Sequence, residues 1–152
     1  MHLAQLNIAM PKFDLDDPRI ADFVNAIDRV NALGERMDGF VWRWVDGEMT
    51  TGNAANPWPG AIINMTVWES PEQLEHFVWN TVHKHVYRRK DEWFANMESH
   101  HFVMWWVEEG HVPSLAEAKE RLDHLDMHGS SNFAFGWSHL PHVKLWQTQR
   151  CA

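Results

Sequence analysis

Two hydrophobic periods alternate along this chain, one of two residues and one of three to four, and their order limits the possible folds. Strands are predicted over residues 3–9, 40–45, 61–68 and 101–107, whereas helical stripes begin near residues 16, 70 and 113. The resulting order is β-α-β-β-α-β, followed by a third helix and a tail. It predicts the α+β class and a ferredoxin-like fold, in which an antiparallel sheet carries its helices on one face.

The predicted helices have recognisable beginnings and ends. Asp16 and Asp17 precede Pro18, and Ser70 is an N-cap candidate before Pro71. The first helix is expected to end near residue 34 and the second near residue 97, while residues 46–60 are predicted to form a loop. We therefore expect one domain over residues 1–129 and a tail over residues 130–152 that packs on the domain or on a partner subunit.

Composition excludes several classes of protein. Lys and Arg number 13 against 21 Asp and Glu, and the formal net charge of −8 disfavours a nucleic-acid binder. No apolar run reaches the length of a membrane span. Cys151 is the single cysteine and no signal-peptide pattern opens the sequence, so a reducing cytoplasm is the expected location. The 10 Trp, 11 His and 8 Met favour an aromatic pocket or a buried interface instead.

Alternation along the strands sorts their side chains onto two faces of the sheet. One set is apolar and is expected to pack under the helices: Ala4, Leu6, Ile8, Ile63, Met65 and Val67. The opposite face then carries Gln5, Asn7, Asn64, Thr66 and Trp68, joined by Arg43 if Trp42 and Trp44 also face the helices. Amides, a cation and an indole on one face predict a polar-lined ligand cavity. The alternatives are a solvated sheet face and a dimer interface with satisfied polar groups.

The second predicted helix carries the histidine of greatest interest. His76, His83 and Tyr87 share one helical face because they are spaced by seven and four residues. Asn80 and Tyr87 can orient His83, which makes it the best functional candidate, with a surface or structural role as the alternative. The sequence contains no HExxH or paired CxxC motif, so metal signals are weak. It also contains no GxSxG, P-loop or GxGxxG motif.

Five segments of the chain carry a resemblance to a known family. Residues 3–9, 39–43, 67–70, 88–94 and 105–113 are similar to an uncharacterised bacterial domain family of the dimeric α/β-barrel superfamily. Antibiotic-biosynthesis monooxygenases and haem-degrading monooxygenases are relatives within this superfamily. The resemblance covers residues 2–136 and implies a homodimer, in which two four-stranded sheets close into a barrel around a pocket.

The resemblance also implies roles for individual residues. Haem-degrading relatives place an Asn on the first strand, a Trp at the end of the third strand and an axial His on the second helix. Asn7, Trp68 and His83 occupy similar positions here. If haem b is bound, His83 is the expected axial ligand, and His76 is the alternative.

Two classes of function follow from these observations. The first is a small-molecule enzyme, a monooxygenase-like oxidoreductase acting on an aromatic or polyketide-like metabolite, with or without haem. Its expected catalytic residues are His83, Asn7, Trp68 and Arg43, and its expected substrate-binding residues are Gln5, Asn64, Thr66, Tyr87 and Trp105. Here Arg43 would favour a phenolate or enolate and His83 would act as general base. The second class is a non-catalytic module that binds a small molecule in the same pocket, and a purely structural dimer is the remaining alternative.

Overall fold

The computed structural model describes residues 1–45, 57–80, 85, 88–96 and 100–143 of the chain. Its strands are β1 (His2–Ala9), β2 (Phe40–Arg43), β3 (Ile62–Trp68) and β4 (Phe102–Val107). Its α-helices are α1 (Ala21–Glu35), α2 (Pro71–Asn80), α3 (Lys90–Trp93) and α4 (Leu115–His128). Short 3₁₀ helices lie at Pro18–Ile20 and Trp137–His139. Elements of both types alternate along the described chain, as the sequence predicts. Among the described helices, none combines the length and the apolar character that a bilayer crossing requires.

The four strands form one antiparallel sheet in the order β2-β3-β1-β4. This order is consistent with the predicted ferredoxin-like fold, since β1 and β3 are central and β2 and β4 are at the edges. Strand β2 pairs with β3 through an irregularity between Phe40 and Trp42. The extra residue, Val41, lets Phe40 share a face with Trp68 while Arg43 still lies opposite Thr66.

The two sets of alternating side chains lie on opposite faces, but the helices that cover them differ from the expectation. Helices α1 and α2 cover the polar face: Phe77 of α2 packs with Trp68, and Phe23 and Ile27 of α1 belong to a cluster that includes Ile62. The prediction that the apolar set packs under these two helices is therefore wrong. Alternation separates two faces but does not say which of them a given helix will cover.

The apolar face is covered by the chain's own C-terminal helix. Ala4, Leu6 and Val67 are buried in one cluster with Leu122 and Leu125 of α4. Trp42 and Trp44 pack against the same cluster, which leaves Arg43 on the polar side as the alternation predicts. The apolar face was expected to lie under the first two helices and the polar face to need a cover from a partner subunit, whereas here the apolar face lies under α4. The predicted homodimer and its closed barrel stay predictions.

The helix beginnings and the tail hold these layers in place. Asp17 caps the Pro18–Ile20 turn by accepting the backbone N–H of Arg19, and the Arg19 side chain holds the pKa of Asp17 down at about 2. Ser114 caps α4 by accepting the backbone N–H of Glu117.

Beyond α4, Phe135 forms a bridge with Met104 at the β4 edge, and it is fully buried. The described part of the tail, up to residue 143, thus packs on its own domain.

Glu117 is expected to be the main polar anchor between α4 and the sheet. Its Oε1 accepts the indole N–H of the fully buried Trp105 at 2.9 Å, and its Oε2 lies 2.7 Å from Nε2 of His111. Glu117→Ala should lower the free energy of unfolding by about 1–3 kcal/mol, because it leaves a buried indole N–H without an acceptor. Glu117→Gln keeps the Oε1 acceptor and should stay within about 1 kcal/mol of the parent in the same urea titration. Equal losses in the two variants would contradict this role.

Candidate functional site

The polar face carries a set of residues that we call the polar strip: Gln5, Asn7, Arg43, Asn64 and Thr66. Strand register brings them together, because Gln5 lies opposite Thr66, Asn7 opposite Asn64, and Arg43 opposite Thr66. Gln5 Nε2 donates to Asn64 Oδ1 and to Thr66 Oγ1, both at 2.8 Å. The register therefore places the five residues on one face, and hydrogen bonds between β1 and β3 hold Gln5, Asn64 and Thr66 together.

Trp68 closes one end of the strip. Its Nε1 donates to Thr66 Oγ1 at 2.8 Å, and the side chain is 1% exposed. Its ring stacks on Phe77 of α2, with centroids 5.4 Å apart, and meets Phe40 edge-on at 5.6 Å. Packed in this way, Trp68 is a wall of the strip and the anchor of α2 on the sheet.

Hydrogen-bonding capacity remains free at the other end of the strip. Thr66 Oγ1 accepts two hydrogen bonds, so its own proton is available to donate. Asn64 uses its oxygen, while its Nδ2 group and the whole side-chain amide of Asn7 make no hydrogen bond within the described part of the chain. Asn7 and Asn64 are only half-buried, and neither is among the sealed, unpartnered polar atoms of the described residues. A ligand that reaches this end can therefore hydrogen-bond these amides.

The charge of Arg43 is already compensated. Its Nε and Nη2 donate to Oε1 of Glu35, at 2.7 and 2.6 Å. Glu35 is the last residue of α1, and a short connection leads from it into β2, so the pair joins two neighbouring elements. The guanidinium thus already has an anionic partner, and the expected role of Arg43 as a cation for a phenolate or enolate stays a prediction.

Trp105 does not belong to the polar strip. It lies opposite Ala4 in the β1–β4 register and is therefore on the apolar face, where it packs with α4. Its indole N–H is bound to Glu117 on that side. The geometry thus does not bring Trp105 to the other predicted substrate-binding residues.

The two other predicted site residues on the second helix, His83 and Tyr87, lie outside the described residues. His76 is described, and it is exposed on α2, whereas Leu74 and Phe77 make the contacts of that helix with the sheet side. The described strip contains amides, a hydroxyl and an ion pair but no imidazole, and Trp68 is packed against Phe77. The predicted axial ligand His83 lies outside the described residues, so haem binding stays a prediction and we derive no chemistry through haem iron. Among the described residues, no group of three or more His, Cys, Asp or Glu side chains could hold a metal ion.

Three contributors to this site were missed by sequence reasoning. Glu35 neutralises Arg43, and Phe77 forms the stacked wall on Trp68. Phe102 lies opposite Asn7 in the β1–β4 register and stacks on Trp137, with ring centroids 5.7 Å apart and an interplanar angle of 13°. An apolar i, i+3 pair, Leu74 and Phe77, signalled the buried side of α2. For the ion pair the sequence signal is weaker: Glu35 ends a predicted helix, and Arg43 follows on the next strand.

A separate groove of about 720 Å³ lies on the outer side of α4. Ala116, Met127 and Phe133 give it apolar walls, and it is an open surface groove rather than an enclosed site. Its polar rim includes Lys119 and Asp123, which pair with each other at 2.7 Å. The sheet separates this groove from the polar strip.

Fold and site together define a class, a mixed α/β protein whose antiparallel sheet carries a polar strip with one ion-paired arginine under two helices. The family model described as Domain of unknown function (DUF3291) matches residues 2–151, and the chain belongs to this family. No curated protein matches the chain. The predicted membership of an uncharacterised family is confirmed, while the relation to monooxygenases stays a prediction.

Proposed function

We propose that the polar strip binds a small aromatic molecule, with Asn7 and Asn64 as the residues that hydrogen-bond it. The proposal rests on one observation: some polar groups of the strip are hydrogen-bonded to one another, and others have no hydrogen-bond partner among the described residues. Gln5, Thr66 and Trp68 are bonded to one another, whereas the neighbouring amides of Asn7 and Asn64 keep free capacity. The hydrogen bond from Gln5 holds Asn64 in place and leaves its NH₂ group available, which lowers the entropic cost of binding at that residue.

The aromatic part of the ligand is inferred from the residues beside Asn7. The stacked pair of Phe102 and Trp137 flanks it, and both rings are only half-buried. Flat, partly accessible aromatic surface next to amide groups suits a planar ring that carries a polar substituent.

Oxidation of the ligand is a separate proposal, implied by the resemblance to monooxygenases. A cofactor-free oxidation requires the site to stabilise an anionic form of the substrate. Arg43, the cation of the strip, is already paired with Glu35. The geometry therefore supports a binding module more directly than an oxidoreductase. Oxygen consumption with 1,4-naphthalenediol, corrected for autoxidation, tests the enzymatic alternative, and a Soret band in the purified protein tests the haem alternative. A cytoplasmic location also stays a prediction.

The Asn7→Ala variant tests the binding proposal. Binding of 2-naphthamide, a planar ring with a carboxamide, can be followed by quenching of tryptophan fluorescence. We expect the Kd to rise about tenfold in Asn7→Ala, because one or two hydrogen bonds to the ligand are lost. The free energy of unfolding should change by less than about 0.5 kcal/mol, since the amide has no protein partner among the described residues.

Asn25→Ala is the matched control, because Asn25 is an exposed residue of α1 and the variant should bind like the parent. A large loss of stability in Asn7→Ala without a specific loss of affinity would return Asn7 to a structural role. Absence of any 2-naphthamide binding by the parent would overturn the proposal.

A further inference from the structure

We infer that the polar strip selects uncharged ligands that carry a carboxamide or lactam, and that Glu35 sets this selectivity by pairing with Arg43. The inference rests on the proposed function and names the class of ligand for the same site. Glu35 lies at the end of α1 and not on the sheet, and the inference makes it a determinant of ligand specificity.

The first step concerns charge. Within the described strands, Arg43 is the one charged residue on the polar face. Its neighbours on that face are the uncharged residues of the strip, Gln5, Asn7, Asn64 and Thr66. Both of its short contacts go to the same Glu35 oxygen, at 2.6 and 2.7 Å. A carboxylate ligand would lose its hydration and meet amides plus an already neutralised cation, so it would gain too little to replace water.

The second step concerns hydrogen-bond direction. Asn7 offers an N–H donor next to a C=O acceptor, and Asn64 adds a second donor because its oxygen is occupied by Gln5. A ligand carboxamide has the complementary pair, a C=O for the donors and an N–H for the Asn7 oxygen. A carboxylate of the same shape has acceptors only and would leave the Asn7 oxygen facing another oxygen. Both steps therefore favour the amide over the acid.

The third step concerns Glu35 as the determinant. Its side chain is 42% exposed and comes from α1, so its carboxylate can be changed without altering the sheet itself. Glu35→Gln would leave Arg43 without a full counter-charge while keeping a side chain of the same size. The backbone of Arg43 pairs with that of Thr66 beside the strip, and the freed guanidinium would then be available to pair with an anionic ligand.

The test compares two ligands of nearly identical shape, 2-naphthamide and 2-naphthoate, at pH 7.5 by calorimetry or fluorescence quenching. The parent should bind the amide at least about tenfold more tightly than the acid, a difference of the size expected for one mispaired hydrogen bond. Glu35→Gln should shift this ratio about tenfold towards the acid. Glu120→Gln removes the same charge from an exposed position on α4 and should leave the ratio unchanged.

A double variant, Glu35→Gln with Arg43→Gln, separates the effect of the freed cation from that of a perturbed fold. It should return the ratio towards that of the parent, because no unpaired charge remains. Equal or tighter binding of 2-naphthoate by the parent would overturn the inference and leave the proposed binding site standing. An unchanged ratio in Glu35→Gln would overturn the role of Glu35, and failure of both ligands to bind would overturn the proposed function itself.

Discussion

Replacing Trp68 by alanine is expected to lower the free energy of unfolding by about 3–5 kcal/mol. The side chain is 1% exposed and lies between Phe40 on the sheet and Phe77 on α2, so its removal leaves a large cavity at the junction of the two layers. It also removes one of the two donors that fix the Thr66 hydroxyl. Urea unfolding followed by circular dichroism measures the loss.

Trp68→Phe separates packing from hydrogen bonding at the same position. The smaller ring can keep the contacts with Phe40 and Phe77 but cannot donate to Thr66, and we expect a loss of about 1–2 kcal/mol. A loss below about 1 kcal/mol in Trp68→Ala would contradict the position of Trp68 as the closed end of the strip. Such a result would mean that the indole is not buried between the sheet and α2 in solution.

Leu122→Ala carries the second large effect, with an expected loss of about 2–5 kcal/mol. Leu122 is 3% exposed and belongs to the cluster that joins α4 to Ala4, Leu6 and Val67 of the sheet. Because α4 is the cover of the apolar sheet face, a cavity beneath it weakens the whole layer. The measurement is again the urea dependence of the far-ultraviolet signal.

Glu120→Ala is the matched control on the same helix, since Glu120 is exposed, and it should stay within about 0.5 kcal/mol of the parent. Equal, small effects of the two substitutions would mean that α4 does not pack on the sheet in solution. That outcome would leave the apolar sheet face free for a partner subunit, and sedimentation equilibrium would then show whether the chain is a dimer.

Local sequence rules predicted most of the elements of this fold. The Asp17-Pro18 start, the alternation in β1 and β3 and the apolar stripe of α4 each depend on neighbouring residues, so they can be interpreted without a partner. The grouping of Gln5, Asn64 and Thr66 on one face followed from antiparallel pairing for the same reason. By contrast, the choice of which face α1 and α2 cover depends on the whole topology, and that expectation was wrong.

The site itself was only partly predictable. Trp105 was predicted to bind the substrate, yet its register with Ala4 fixes it on the opposite face. The register of β4 is set by pairing with a distant strand, and the run of apolar residues in β4 has no alternation to indicate it. The neutralisation of Arg43 by Glu35 depends on how α1 meets β2, a tertiary contact with no local periodicity.

The most direct test of the central claim is the location of a bound ligand, measured through the side-chain amides. Nitrogen-15-labelled protein titrated with 2-naphthamide should show saturable shifts of the NH₂ signals of Asn7 and Asn64, while the exposed Asn25 stays unchanged. Shifts confined to residues of the α4 groove, such as Ala116 and Met127, with silent signals from Asn7 and Asn64, would contradict the claim that the polar strip is the binding site.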